Sequence, residues 1–178
     1  MEEITLSAGA QAFGDGNHPT TKGVLAALEL IDPAEFSPRK ACDMGSGSGI
    51  VTFAMLQRFD CPVWAVDIAR SAVEILQENA KRNGLQETVV ALQADGFDHP
   101  EITIAAPFDL LVMNILAEPL VRLAGEAVAH LASEGVLILS GIMRWQEEQI
   151  QQSYQSLGLE LTARLEVGDW VTQIWQKD

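Results

Sequence analysis

Between Lys40 and Ile50 the chain runs Lys40-Ala41-Cys42-Asp43-Met44-Gly45-Ser46-Gly47-Ser48-Gly49-Ile50. Its opening suits a buried strand, the three alternate glycines a tight turn, and the apolar stretch from about Gly49 to Arg58 a helix. A strand that turns through glycines into a helix is the usual first unit of a doubly wound α/β sheet. Glycines let backbone amides approach a ligand closely, and the helix N-terminus behind them favours negative charge. Alone, such a loop is a weak signal, because many doubly wound domains carry a glycine-rich first turn. Its surroundings carry the rest.

Strand-like and helix-like segments alternate along the chain, which points to an α/β fold with a largely parallel sheet. A helix is expected over Pro19 to Leu30, followed by the strand ending near Asp43. The second strand, Pro62 to Asp67, leads to a helix over Ser71–Asn83, with Ser71 placed to cap it. The third and fourth strands read as Thr88 to Ala94 and Phe108 to Asn114. Pro119 suits the first turn of a helix whose core stripe is Leu120, Leu123, Ala127 and Leu131. A fifth strand, Val136 to Ser140, precedes a polar helix from about Trp145 to Leu157. The last two strands, Leu159–Val167 and Trp170–Gln176, flank Gly168-Asp169 as an antiparallel hairpin. No repeat or linker divides the 178 residues, which are expected to form a single domain.

Charge narrows the partners. Eleven basic residues stand against 25 acidic ones, a formal net charge of −14. Such a field disfavours nucleic acid and anionic membrane surfaces, both of which are bound through Lys and Arg. A basic protein partner is compatible, because opposite charge speeds encounter. Simple solubility accounts for the acidity equally well. Cys42 and Cys61 lack metal-ligand spacing and read as reduced core residues. The histidines at 18, 99 and 130 are too scattered to suggest a metal site. The opening Met1-Glu2-Glu3-Ile4 is acidic where a secretory leader would be basic, and no apolar run approaches a membrane span. The expected location is the cytoplasm. Nothing in the sequence sets an oligomeric state.

Two further positions give the glycine loop its chemistry. Asp67 ends the second strand about twenty residues past Gly45, where a carboxylate can accept hydrogen bonds from both ribose hydroxyls of a nucleoside cofactor. That placement serves NAD and S-adenosylmethionine alike. The loop spacing discriminates better: Asp43-x-Gly45-x-Gly47-x-Gly49 suits an amino-acid moiety, whereas dinucleotide folds use GxGxxG to cradle a pyrophosphate. Asn114, in Asn114-Ile115-Leu116-Ala117, ends the fourth strand at the level where open α/β sheets bind ligands. Its side-chain oxygen can accept a hydrogen bond from a substrate amine. By itself an Asn there is commonly a turn residue; its place beside the loop and Asp67 favours the functional reading.

Taken together, five segments resemble one family. They are Ala12 to Thr21, Asp43 to Ile50, Asn114-Ile115-Leu116-Ala117 with Pro119-Leu120, Leu139-Ser140-Gly141-Ile142, and Gly168-Asp169-Trp170-Val171. In this order they look like the catalytic domain of the bacterial ribosomal protein L11 methyltransferase (PrmA) family, from about Ile4 to Lys177. The resemblance implies the class I (Rossmann-like) methyltransferase fold, a seven-stranded, mostly parallel sheet with a C-terminal antiparallel hairpin. It also implies S-adenosyl-L-methionine as methyl donor. The family's cofactor contacts fall on Thr21, Gly45, Gly47, Asp67 and Asn114, with residues 1–21 as a leader folding over the cofactor. The carbonyl of Ile115 would help Asn114 position the acceptor nitrogen.

Departures from the family pattern are few. Asp15 stands where Thr is usual, Ser46 where Cys is common, and Ala69-Arg70 where Asp-Pro is usual. The resemblance does not extend to the N-terminal module with which the family recognises its ribosomal substrate. The expected activity is methylation of lysine or terminal amines on a protein, with L11 one candidate acceptor. A different protein, a small amine, and a cofactor-binding module without turnover stand as alternatives. An NAD-linked dehydrogenase is the reading from another enzyme class. A sulfonium methyl is already activated, so a neutral amine held in line is enough, and no catalytic base need appear.

Overall fold

The computed structural model describes residues 16–178. Residues 1–15 of the leader expected over 1–21, Asp15 among them, lie outside the described residues. Seven strands form one sheet in the order β3-β2-β1-β4-β5-β7-β6. They are β1 (Ala41–Met44), β2 (Val63–Asp67), β3 (Val89–Gln93), β4 (Phe108–Asn114), β5 (Leu131–Met143), β6 (Leu159–Val167) and β7 (Trp170–Lys177). The first five pair in parallel, while β7 runs antiparallel to both β5 and β6. The expected hairpin is present, with Val167 paired to Trp170 across the two-residue turn.

Parallel strands are covered on both faces, so their side chains alternate between two cores. Ala41, Leu110, Val112, Val136 and Ile138 point to one side, where α1 (Pro19–Leu30) and α2 (Ile50–Arg58) pack. Phe53 of α2 joins Leu76 and Ala80 of α3 (Arg70–Arg82) in a satellite core over β2 and β3. Cys42, Leu111, Met113, Leu137 and Leu139 point to the other side. There α4 (Pro100–Ala105), α5 (Ala117–Arg122), α6 (Ala124–His130) and α7 (Glu147–Gln155) cover the sheet. Tyr154 of α7 is fully buried and donates its hydroxyl to the Leu120 carbonyl at 2.9 Å, tying α7 to α5. Both cysteines are buried and free.

Three local expectations need correction. Helix α3 starts at Arg70, so Ser71 lies within its first turn and does not cap it. The turn before α3 is instead held by Asp67, whose Oδ1 accepts the Ala69 N–H at 2.9 Å. The helix expected through Pro119 is two, α5 and α6, with a kink at Leu123 (φ −90°, ψ 0°). Gly125, two residues on, offers little helix propensity to carry the first helix through. The stripe Leu120, Leu123, Ala127 and Leu131 is nevertheless buried, although Leu131 already belongs to β5. That strand begins five residues before the expected Val136, because Leu131 pairs with Phe108 ahead of a register shift. The short α4 gave no apolar period; His99 caps it by accepting the Glu101 N–H, and Pro100 opens it.

Sheet register fixes what stands together. Met44 at the end of β1 pairs with Val66 of β2 and with Met113 of β4. One residue further on, Gly45, Asp67 and Asn114 therefore emerge side by side at the carboxyl edge. The chain passes from β1 outwards to β3 and returns to β4 on the other side of β1. Between β1 and β4 lies the topological switch point, where open α/β sheets form their ligand crevice.

Candidate active site

A cleft of about 580 Å³ opens at this switch point, within the range of small-molecule sites. All six residues singled out from the sequence line it: Thr21, Gly45, Gly47, Asp67, Asn114 and Ile115. Each is brought there by a different physical cause.

The loop between β1 and α2 is held from behind. Gly45 and Ser46 donate their N–H groups to the Val66 carbonyl at 2.8 and 3.0 Å. The Gly47 N–H goes to Asp67 Oδ2 at 2.9 Å, and the buried Asn79 amide of α3 donates to the Ser48 carbonyl. Gly45 has φ +81°, and a Cβ there would stand 2.3 Å from Ile115 Cγ2. Only glycine lets the two loops touch. Asp67 spends one lone pair of each oxygen on Gly47 and Ala69. It is half-buried, and each oxygen has a further lone pair able to accept a hydrogen bond.

Asp43, in β1 directly behind the loop, is fully buried. Thr52 of α2 donates to its Oδ2 at 2.6 Å, while Oδ1 has no hydrogen-bond partner among the described residues. Burial pushes the carboxyl up, the Thr52 hydrogen bond draws it back, and the Asp67 carboxylate raises it again, to about 7. Ser46 Oγ, in the same loop, is a second buried group without a partner among the described residues. Unsatisfied buried polar atoms are uncommon and cluster where a ligand or water completes them.

Helix α1 brings Thr21 to the cleft. His18 caps it, its Nδ1 lying 2.8 Å from Thr20 Oγ1, and its ring meets the Trp170 ring edge-on at 5.3 Å. Ser140 Oγ donates to the Thr20 carbonyl at 3.1 Å and lies 2.8 Å from Thr172 Oγ1. Helix, β5 and β7 are thus joined through one buried serine.

On the β4 side, Asn114 and Ile115 are half-buried and Leu116 is exposed. Gly141 of β5 has φ +84°, and a Cβ there would lie 2.1 Å from the Ile115 carbonyl oxygen. Gly141→Ala combines a left-handed backbone with that overlap, and we expect it to cost at least about 2 kcal/mol of stability by urea unfolding. An unchanged unfolding midpoint would show that the Ile115 peptide yields freely.

Sequence reading missed a charged pair at the far end of the cleft: Arg122 of α5 donates to Asp95 at 2.9 Å. Its signal was available, since Asp95 follows β3 as Asp67 ends β2. Gly141 lay within a quoted motif, but its neighbour across the sheet could not be read from it. The cleft is walled by the glycine loop, by a carboxylate with spare lone pairs and by Asn114 beside Ile115, with the buried Asp43 carboxyl directly behind the loop. That donor set fits a nucleoside carrying a charged amino-acid tail better than a diphosphate, because among the described residues no lysine lines the cleft and Arg122 is engaged with Asp95.

Strand order, switch-point cleft and strand-end carboxylate together define the class I methyltransferase fold. The chain belongs to the ribosomal protein L11 methyltransferase (PrmA) family, whose model matches residues 2–178. The ribosomal protein L11 methyltransferase of Brucella suis is 41% identical over 168 residues, covering 94% of this chain and 58% of that protein. The chain therefore spans little more than half the length of such relatives. Among solved structures, the ribosomal protein L11 methylase of Lactobacillus delbrueckii subsp. bulgaricus superposes with a TM-score of 0.81 at 28% identity, over 94% of this chain and 82% of that one. The N-methyltransferase NodS of Bradyrhizobium japonicum, solved with S-adenosyl-L-homocysteine, shares the fold at TM-score 0.71 and 14% identity, over 90% and 89% of the two chains.

Proposed function

We propose that this chain is an S-adenosyl-L-methionine-dependent protein N-methyltransferase acting on lysine or terminal amines of a basic ribosomal protein, with L11 the first candidate. The observation that carries it is the convergence of the Asp43–Gly49 loop, Asp67 and the Asn114-Ile115 segment on one cleft. When bound, S-adenosyl-L-methionine supplies a methyl group already activated by its sulfonium.

The chain's own work is positioning. Gly45 and Gly47 line the cofactor's tail, Asp67 accepts its ribose hydroxyls, and Thr21 closes the amino-acid end. Residues 1–21 act as a leader over the cofactor. Asn114 Oδ1 and the Ile115 carbonyl accept hydrogen bonds from the acceptor nitrogen and aim its lone pair at the methyl. Two acceptors can take the two N–H groups of a neutral primary amine and leave its lone pair free for the methyl, so the amine must shed its proton before transfer. Excess negative charge on the chain favours encounter with a basic substrate. No helix of the described residues is long and apolar enough to cross a membrane. The cytoplasm, where ribosomal proteins are made and assembled, is the proposed location, and neither nucleic acid nor membrane is a proposed partner.

Calorimetric titration tests the donor, with sub-millimolar binding of S-adenosyl-L-methionine expected and none of NAD. Radiolabelled donor incubated with methyl-depleted cell extract tests the acceptor, and a discrete protein band is expected. Absence of binding up to millimolar concentration would sink the donor assignment. Binding without any labelled product would identify a module that does not turn over, and label confined to small molecules would replace the protein acceptor by an amine.

A further inference from the structure

Asp43 is a buried carboxyl for which the proposed chemistry has no direct use. It lies behind the cleft wall: Met44, Gly45 and Gly47 line the cavity, and Asp43 does not. Its β-sheet neighbours are Ala65 and Val112, neither of which offers charge. Across from it α2 presents Thr52, and the titratable groups coupled to it are the Cys42 thiol beside it in β1 and the Asp67 carboxylate at the end of β2. Among the described residues no cation is paired with it. A buried carboxylate without a cation is costly, so the group keeps its proton until a positive charge arrives.

We propose that Asp43 holds a proton while the cleft is empty and releases it when the cationic cofactor binds, so that cofactor affinity rises with pH. This rests on the donor assignment above. The O–H bond of the carboxyl breaks, its electron pair stays on the carboxylate, and the proton passes to buffer; nothing is oxidised or reduced. The cofactor brings a sulfonium, an ammonium and a carboxylate, net charge +1, into a cleft lined by Met44 and Gly45, the residues that follow Asp43 in the chain. An opposite charge within roughly 6 Å lowers a carboxyl pKa by about 1–3. Starting from about 7, that is enough to complete ionisation at neutral pH.

The sign follows from a group raised in the empty state and lowered in the bound one. Bound cofactor is favoured above the empty-state value, and affinity falls as pH drops below it. Going from pH 8 to pH 6 weakens binding about tenfold for a group moving from about 7 to about 5. The cofactor's own amino group titrates nearby, so the comparison is with Asp43→Asn, which keeps the shape and cannot ionise.

The experiment is calorimetry of S-adenosyl-L-methionine binding at pH 7 in buffers of differing ionisation enthalpy, which counts protons directly. The wild-type chain is expected to release about half a proton more than Asp43→Asn. Thr52→Val removes the hydrogen bond that favours the carboxylate, and should drive the release towards one proton. Both variants are checked by thermal unfolding, and Thr52→Val carries the test if Asp43→Asn does not fold. Equal proton counts in wild type and Asp43→Asn, or a smaller count in Thr52→Val, overturn the proposal while leaving the donor assignment intact. Absence of binding heat and of competition by S-adenosyl-L-homocysteine would instead remove the donor assignment and the proposal with it.

Discussion

Asn114→Ala is expected to slow methyl transfer by about 10²–10³-fold while weakening cofactor binding by less than about tenfold. The side chain ends β4 at the level of Gly45, and its neighbour in β5 is Ser140, so a truncation there leaves the sheet register untouched. What goes is one of the two proposed acceptors for the incoming amine. The Ile115 carbonyl remains, fixed by its contact with Gly141, but a single acceptor no longer sets direction. Initial rates with radiolabelled donor, paired with calorimetric affinity, separate the two effects. Equal loss in both would make Asn114 a cofactor ligand and nothing more.

The second large effect falls on Asp67. Replacing it with alanine removes the proposed ribose contacts and also strips the Gly47 and Ala69 amides of their acceptor. Cofactor affinity should drop by at least about 100-fold, close to 2.7 kcal/mol, and the empty protein should melt at a lower temperature. Asp67→Asn retains one acceptor oxygen and should fall between the two. Because the Asp67 carboxylate raises the Asp43 pKa, Asp67→Asn should also reduce the proton released on binding. An Asp67→Ala variant with wild-type affinity would place the ribose elsewhere.

Where the sequence was informative, the signals were local. β4 and the β6–β7 hairpin fall where the apolar runs and Gly168-Asp169 put them, and α1 begins at Pro19 behind its capping His18. Asp67 and Asn114 could be picked out because strand ends are marked by where hydrophobicity stops. The missing information was relational. Nothing near Gly141 announces the Ile115 carbonyl, nor does Ser140 announce Thr20, because those neighbours are set by β4–β5 register and by the return of β7. Leu123 shows the same limit from the other side: its stripe is buried as the period requires, yet the helix breaks beneath it. Ser71 failed as a cap because Asp67 had already taken the turn.

The touching point of Gly45 and Ile115 is also where two stretches of chain meet. On one side of it, β1 to β3 carry the loop and Asp67; on the other, β4, β5 and the hairpin carry Asn114, Gly141 and Trp170. The two walls of the cleft thus come from separate stretches of chain, joined along the β1–β4 pairing. Under the proposed function, substitutions after residue 108 can reshape the acceptor side of the cleft while leaving the loop and Asp67 in place.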